Sequence, residues 1–410
     1  MKVNEGNEKR RETAVKQYAM NEFDKVIERR GTNSMKWDGT KARFGEDDLL
    51  PMWVADMDFK APTAVIDALK AKVEHGVYGY AAPSIEADEA IVNWVDSQYG
   101  WKIEADSIVH VTGVVPALSN LIKTFTNEGD GIIIQPPVYY PFYDVIEKNK
   151  RQLVKNPLLF DGNHYKMDLA GLEQVITDKT KMLLLCHPHN PGGRVWSKEE
   201  LQALAEICER HNLYVISDEI HADLLFEGYT HTPFATVTET IANRTFTALA
   251  PTKTFNLAGV QGAYVIIEDP KLRLEFRREL AATFMNGSNM FSDIATKAAY
   301  EHGKPWLKEL MAYIQANYQY AADYLATYMP KIKPIQPQGT YLLWLNCQEL
   351  GLHPDERKKW LLQEAKVALN HGAIFGEEGR DFERLNLATP RETLTEGLER
   401  IRRAYENRGF

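Results

Sequence analysis

Short apolar runs alternate with helical-period segments through the middle of the chain. IIIQ (132–135), MLLLC (182–186), LYVIS (213–217), RTFTAL (244–249) and AYVII (263–267) are brief, rich in leucine or β-branched residues, and do not alternate cleanly between apolar and polar. Strands covered on both faces read this way, because neither side meets water. Residues 86–99, 115–127 and 197–211 instead repeat apolar positions at helical spacing. Ser197 followed by Glu200 is a capping-box pattern that predicts where the last of these helices begins. Strands alternating with helices predict an α/β fold, with a large domain built on a mainly parallel, helix-flanked sheet.

Near residue 290 the pattern changes. Residues 290–330 are almost continuously helical, punctuated by Gly303 and Pro305. After the Pro-rich turn KPIQPQG (333–339), TYLLWLN (340–346) reads as a strand. A helix over 355–369, an extended piece near 382–388 and a helix over 391–407 complete the chain. This predicts a large domain over 61–305, a smaller α+β domain over 306–410, and an N-terminal arm over 1–60 packing with the small domain.

Composition narrows the class. Of 410 residues, 44% are hydrophobic and 26% charged, which excludes disorder, collagen and coiled coil for the bulk of the chain. The net charge of −9 disfavours a nucleic-acid surface. No apolar run approaches the about 18 residues of a membrane span. The opening stretch MKVNEGNEKRRETAVKQY is charged, lacks the apolar core of a secretory signal and reads as a mobile or docking arm. Cys186, Cys208 and Cys347 are odd in number and far apart. They show neither metal-ligand spacing nor a disulfide framework, which fits a reducing cytoplasm. No metal, nucleic-acid or membrane partner is expected.

Four signals stand at strand exits, where open α/β sheets bind ligands. Asn190-Pro191-Gly192-Gly193 forces a turn directly after MLLLC, although alone it equally suits a structural loop. Asp218 and Glu219 end LYVIS, and acids there need a cation, a metal or donors. For a lone Asp, a solvated strand end is the simpler reading. Lys253 follows RTFTAL among Thr252, Thr254 and Phe255; a partly desolvated amine there can form a Schiff base, and an exposed lysine is the alternative. Thr112-Gly113 opens a helix whose free N–H groups can hold a phosphate, though many strand–helix turns carry Thr-Gly.

Together the signals say more. T-G-V-V, P-P-V-Y-Y-P-F, H-N-P-G-G-R, S-D-E-I-H and P-T-K-T-F-N-L-A-G follow one another in this order. The chain thereby resembles the fold-type I pyridoxal-phosphate enzymes of the aminotransferase class I/II superfamily, most closely the cystathionine β-lyase (C–S lyase) branch. The resemblance runs from WVADMDF (53–59) through HGVYGY (75–80) to FERLNLATPR (382–391). It implies an aspartate aminotransferase-like fold, pyridoxal 5'-phosphate as cofactor and a homodimer. It also implies α,β-elimination on cystathionine or a related L-cysteine S-conjugate, an amino-acid thioether, to give thiol, pyruvate and ammonia. An aminotransferase for aromatic or aliphatic amino acids is the alternative.

Residue by residue, the resemblance makes Lys253 the lysine that carries the cofactor and moves the α proton, and Asp218 the acid that pairs with the pyridine nitrogen. Asn190 would bond the phenolic oxygen and help bind substrate, and Tyr139 would stack on the ring. Gly113, Val114, Val115 and the Thr252 hydroxyl would hold the phosphate. Arg384 would grip the substrate α-carboxylate, and Tyr80 would reach into the partner's site for substrate binding and catalysis. His221, on the cofactor side, replaces a tyrosine frequent among aminotransferases, and Gln261 replaces a second phosphate-binding arginine. Both replacements look like the lyase branch, whereas His187 stands where that branch often has Asn.

Overall fold

A computed structural model describes residues 22–82, 84–285 and 287–410. The stretch 1–18, read above as an arm, lies outside the described residues. Seven strands form the main sheet: β1 (Ile108–Val111), β2 (Gly131–Ile134), β3 (Gln152–Lys155), β4 (Thr180–Cys186), β5 (Tyr214–Asp218), β6 (Thr245–Leu249) and β7 (Ala263–Ile266). Their spatial order is β1-β7-β6-β5-β4-β2-β3. Strands β6, β5, β4, β2 and β3 pair in parallel, and β7 runs antiparallel to both its neighbours. The mainly parallel, helix-flanked sheet expected from the apolar runs is therefore present. Of the two edge strands, β1 is implied only by the strand exit read at Thr112-Gly113, and β3 (QLVK) is not marked by the sequence pattern, being exposed at both ends with no long apolar run.

Each inner strand feeds two cores. Met182, Leu184 and Cys186 pack with Ile132, Ile134, Ile216 and Phe246 on one face. Leu183 and Leu185 pack with Ile133 and Val215 on the other. This is the period of two of a strand buried on both sides. Helix Val114–Phe125 covers the first face with Val114, Ala117, Leu118, Leu121 and Ile122, one apolar stripe at helical spacing. Helix Lys198–Arg210 covers the second with Leu201, Leu204, Ala205 and Cys208. Its capping box forms as the spacing predicts: Glu200 N–H donates to Ser197 Oγ at 3.2 Å, and Ser197 N–H to Glu200 Oε2 at 2.8 Å.

The helical stretch after 290 is two helices, Met290–His302 and Lys304–Tyr328. Gly303 separates them, and a Cβ there would sit 2.4 Å from the Phe255 ring. A second sheet, antiparallel throughout, comprises β8 (Lys333–Pro334), β9 (Leu342–Asn346), β10 (Asn370–His371) and β11 (Phe382–Asn386), in the order β8-β9-β11-β10. The expected helix over 355–369 is a correction. Helix Pro354–Lys359 gives way to a wider turn at Trp360–Glu364, and Lys366 then takes a φ of 56°. Val367–Ala368 is extended and pairs in parallel with Leu50–Pro51. The apolar V-A-L run that resembled a helical face is buried by strand pairing with a partner more than three hundred residues away.

Leu50–Pro51 leads into a strap, residues 53–59, that spans both sheets. Asn386 Nδ2 donates to the carbonyls of Val54 (2.7 Å) and Asp56 (2.6 Å). Asn256, in the loop after β6, exchanges hydrogen bonds with Met57 and donates to the Phe59 carbonyl. Buried Lys36 donates to Asp58 Oδ2 at 2.6 Å, and Arg29 pairs with Asp56 and Asp58. Among the described residues no helix is long and apolar enough to cross a membrane, and no group of three His, Cys, Asp or Glu is placed to hold a metal ion. All three cysteines are buried and unpaired by disulfides.

Candidate active site

The C-terminal ends of β1, β2, β4, β5 and β6 lie along one edge of the main sheet. A cavity of ≈ 230 Å³ opens there. It gathers Gly113, Val114 and Val115 after β1, Tyr139 after β2, Asn190 after β4, Asp218 and His221 at β5, and Lys253 after β6. Size alone would not have found it. A groove of ≈ 680 Å³ lies elsewhere, between residues 81–110 and 277–293, and holds none of these groups.

Strand parity selects the acid. Asp218 shares the face of Ile216 and enters the cavity, whereas Glu219 turns to the opposite side. There Glu219 accepts from Ser217 Oγ (2.7 Å) and the Phe234 N–H (3.0 Å) and pairs with His231 Nε2 (2.7 Å). Among the described residues the Asp218 side chain has one hydrogen bond, from the Ile220 N–H at 3.3 Å. Burial therefore pushes its carboxyl up to about 7. The turn carrying Asn190 closes through the Gly193 N–H to the His189 carbonyl (2.8 Å). Gly193 adopts a φ of 66° and a Cβ on it would meet Pro337 at 3.1 Å, so the turn requires glycine there.

Lys253 sits in the short helix Pro251–Thr254 and donates from Nζ to the Ala55 carbonyl (2.6 Å), which also accepts from Tyr341 OH (2.8 Å). Burial, helped by the Arg384 charge, pulls the ammonium down to about 8. His221 is held neutral, lowered to about 3 by burial and then by the charges of Lys253 and Arg384. Because only a neutral amine is nucleophilic, the cofactor-free protein should show one lysine whose labelling by an amine-reactive reagent rises with pH to a midpoint near 8. Peptide mapping checks this; a Lys253 midpoint near about 10.4, that of an ordinary lysine, would contradict it.

Arg384, on β11, donates from Nη1 to Asn190 Oδ1 at 2.8 Å and so stands against the cavity wall. Thr252 adjoins Lys253 but is not part of the lining. Tyr80 is not brought to this cavity within one chain: it is fully exposed and lines a separate groove of ≈ 370 Å³ with Val77 and Met290. Gln261 is also exposed and outside the lining. His187 is buried behind the cavity, stacked on His231 at 4.3 Å, with Nε2 3.1 Å from the Thr232 carbonyl. Ala55, Pro116, Cys186 and Ile220 complete the lining and were not marked as site residues by sequence. Cys186 had a usable signal, since it ends MLLLC on the same face as Leu184. Ala55 lies within the WVADMDF motif (53–59), but no reading of that motif assigned it a place in the site, because the strap delivers it from far away in the chain.

A lysine, an acid and an open helix start around one cavity of a mainly parallel sheet define an aspartate aminotransferase-like enzyme that uses pyridoxal 5'-phosphate. The family profile described as "Aminotransferase class I and II" matches residues 48–401, and the chain belongs to this family. It is 44% identical over 383 residues to the cystathionine beta-lyase PatB of Bacillus subtilis (strain 168), covering 93% of this chain and 99% of that one. Cystalysin from Treponema denticola, whose crystal structure contains pyridoxal 5'-phosphate, superposes with a TM-score of 0.92 at 35% identity, covering 95% of this chain and all of the other. The pyridoxal-phosphate-bound C–S lyase from Staphylococcus hominis superposes with a TM-score of 0.87 at 32% identity, covering 95% and 98%.

The residues present fit this cofactor. Helix Val114–Phe125 starts without a side-chain cap, leaving backbone N–H groups for a phosphate. The Asp218 carboxylate lacks a strong donor, as a cationic ring nitrogen would supply. Buried His221 Nδ1 and Arg384 Nε have no hydrogen-bond partner among the described residues.

Proposed function

We propose that this chain is a carbon–sulfur β-lyase that cleaves cystathionine or a related L-cysteine S-conjugate to a thiol, pyruvate and ammonia. The observation that carries this reading is the cavity in which Lys253, Asp218 and Asn190 meet beside Arg384. The relation to PatB, a cystathionine beta-lyase, supports the substrate class.

When bound, pyridoxal 5'-phosphate supplies an electron sink for the substrate Cα. The chain does the rest. Val114 and Val115 N–H groups, with Gly113 and the Thr252 hydroxyl, bind the phosphate. Tyr139 packs on the ring face, and His221 borders it as a neutral imidazole. Asp218 keeps the ring nitrogen protonated, and the low dielectric that makes its carboxyl reluctant to ionise alone strengthens that pairing. Asn190 Oδ1 accepts from Arg384, which leaves Nδ2 to donate to the phenolic oxygen. Arg384 orients the α-carboxylate, since a planar fork suits that group. Lys253, an amine poised near neutrality, takes the α proton at Nζ. The C–S bond then breaks with its electron pair on sulfur. A thiol of pKa about 8.5 leaves readily, and Lys253 or Tyr80 returns the proton.

Tyr80 comes from a second copy. It stands with Val77, Tyr78 and Ile85 on an exposed apolar stretch, which supports a homodimer in which each Tyr80 serves its partner's cavity. The division into a large domain (61–305), a small domain (306–410) and an N-terminal segment belongs to the same reading, as does a cytoplasmic location. The test is a panel of cystathionine, cysteine, cystine and S-alkyl cysteines, assayed for pyruvate and thiol without any keto acid. Pyruvate is expected in equal amount to the sulfur product, a thiol from cystathionine and the S-alkyl cysteines, sulfide from cysteine and a persulfide from cystine. Amino-acid turnover only when a keto acid is added would make the enzyme an aminotransferase and overturn the proposal.

A further inference from the structure

Arg384 is a buried cation whose hydrogen-bond acceptors are all neutral. Its Nη1 donates to Asn190 Oδ1 (2.8 Å), and its Nη2 to the Trp53 carbonyl (3.1 Å) and to Asn370 Oδ1. The Phe375 ring lies beneath it, 4.9 Å from the guanidinium carbon. No ion pair of Arg384 occurs among the described residues. The adjacent acid is turned away: Glu383, one residue earlier on β11, faces the other side, where Arg357 Nε (2.8 Å) and His371 Nδ1 (2.8 Å) pair with it. The sheet thus satisfies its carboxylate on one face and leaves a guanidinium with amides and a carbonyl on the other.

Asn370 is the acceptor whose presence nothing else explains. Asn190 belongs to the cavity wall, and Trp53 contributes only backbone. Asn370 does not line the cavity. It lies directly across the β10–β11 ladder from Arg384, and opposed residues on antiparallel strands share a face. An aspartate there would reach the same guanidinium nitrogen and neutralise it. Asparagine fixes the orientation and leaves the charge in place. We infer that Asn370 is a positioning residue that aims Arg384 while keeping its charge uncompensated for the substrate α-carboxylate. This deepens the proposed function and rests on the carboxylate-binding role of Arg384 given there.

The holoenzyme provides the test. L-Alanine, which has no β-leaving group, and L-alaninol, which has no carboxylate, are titrated against the cofactor absorbance, and Tm is recorded for each variant. Asn370→Ala should weaken L-alanine about tenfold, the loss of one hydrogen bond to a charged group, and leave L-alaninol nearly unchanged. Asn370→Asp should weaken L-alanine further, to about 100-fold or more, because the new carboxylate competes for the guanidinium. Its Tm should nonetheless equal or exceed the parent's, since a buried charge gains a partner. A structural role predicts equal losses for both ligands and an Asp variant no worse than Ala; either result overturns the inference. Should Asn370→Asp fail to retain cofactor, the alanine-to-alaninol ratio of Asn370→Ala decides alone. Arg384→Gln separates the layers. If it leaves L-alanine binding intact, the carboxylate role of Arg384 falls and the inference with it. If it weakens L-alanine selectively while the Asn370 variants do not, only the inference falls.

Discussion

Replacing Lys253 with alanine is expected to lower kcat by at least about 10⁴-fold, since the proposed function makes one residue both covalent anchor and proton carrier. The visible band of lysine-bound cofactor should vanish as well. Folding should survive. Among the described residues the only hydrogen bond of Nζ goes to the Ala55 carbonyl, which keeps Tyr341 OH as a donor at 2.8 Å. Lys253→Arg should fail almost as completely, because it keeps the charge but provides no neutral amine near pH 7. Pyruvate release, the absorption spectrum and Tm on the same preparations check the three statements. Substantial turnover by the alanine variant would remove the chemistry from this lysine.

Asp218→Asn should cost about 10²–10³-fold in kcat, the scale of losing a buried group that stabilises developing charge. It should also reverse a stability balance. Burial raises the Asp218 carboxyl to about 7 in the cofactor-free fold, against about 3.9 in an unfolded chain. The unfolded chain therefore releases its proton first as pH rises, so this group lowers stability progressively between about pH 4 and 7 and by a constant amount above. The cofactor-free Asn variant should then be the more stable protein at pH 8, by on the order of a few kcal/mol, and lose that advantage below about pH 4. Cofactor inverts the comparison. A cation beside the carboxylate pulls its pKa back down, so cofactor should raise the Tm of the parent more than that of the variant. Equal increments in Tm would place the ring nitrogen elsewhere.

Much of this was legible because it is local. Strands β2, β4, β5, β6 and β7 announced themselves as apolar runs, being covered on both faces. Lys253, Asp218 and Asn190 each follow such a run by a few residues, so the chain itself marks them as strand-exit groups. What failed was non-local. Val367–Ala368 reads as helix until Leu50–Pro51 pairs with it. Asn370 has no signature of its own, and the WVADMDF motif marks the segment of Ala55 without placing it in the site; the strap and the β10–β11 register bring them to Lys253 and Arg384. Edge strand β3 meets solvent and lacks the apolar run that marks the inner strands. Tyr80 was marked by motif, yet one chain leaves it in solvent.

The adjacent acids at the end of β5 carry a genetic corollary. Their opposite orientations follow from residue count along an alternating strand, so a missense change alters one side chain, whereas the loss of a single codon between Tyr214 and Asp218 turns the strand end over. The carboxylate built for His231 would then face the cofactor, and Asp218 would be sent to the opposite core. In this stretch, length is the heritable quantity that chemistry depends on.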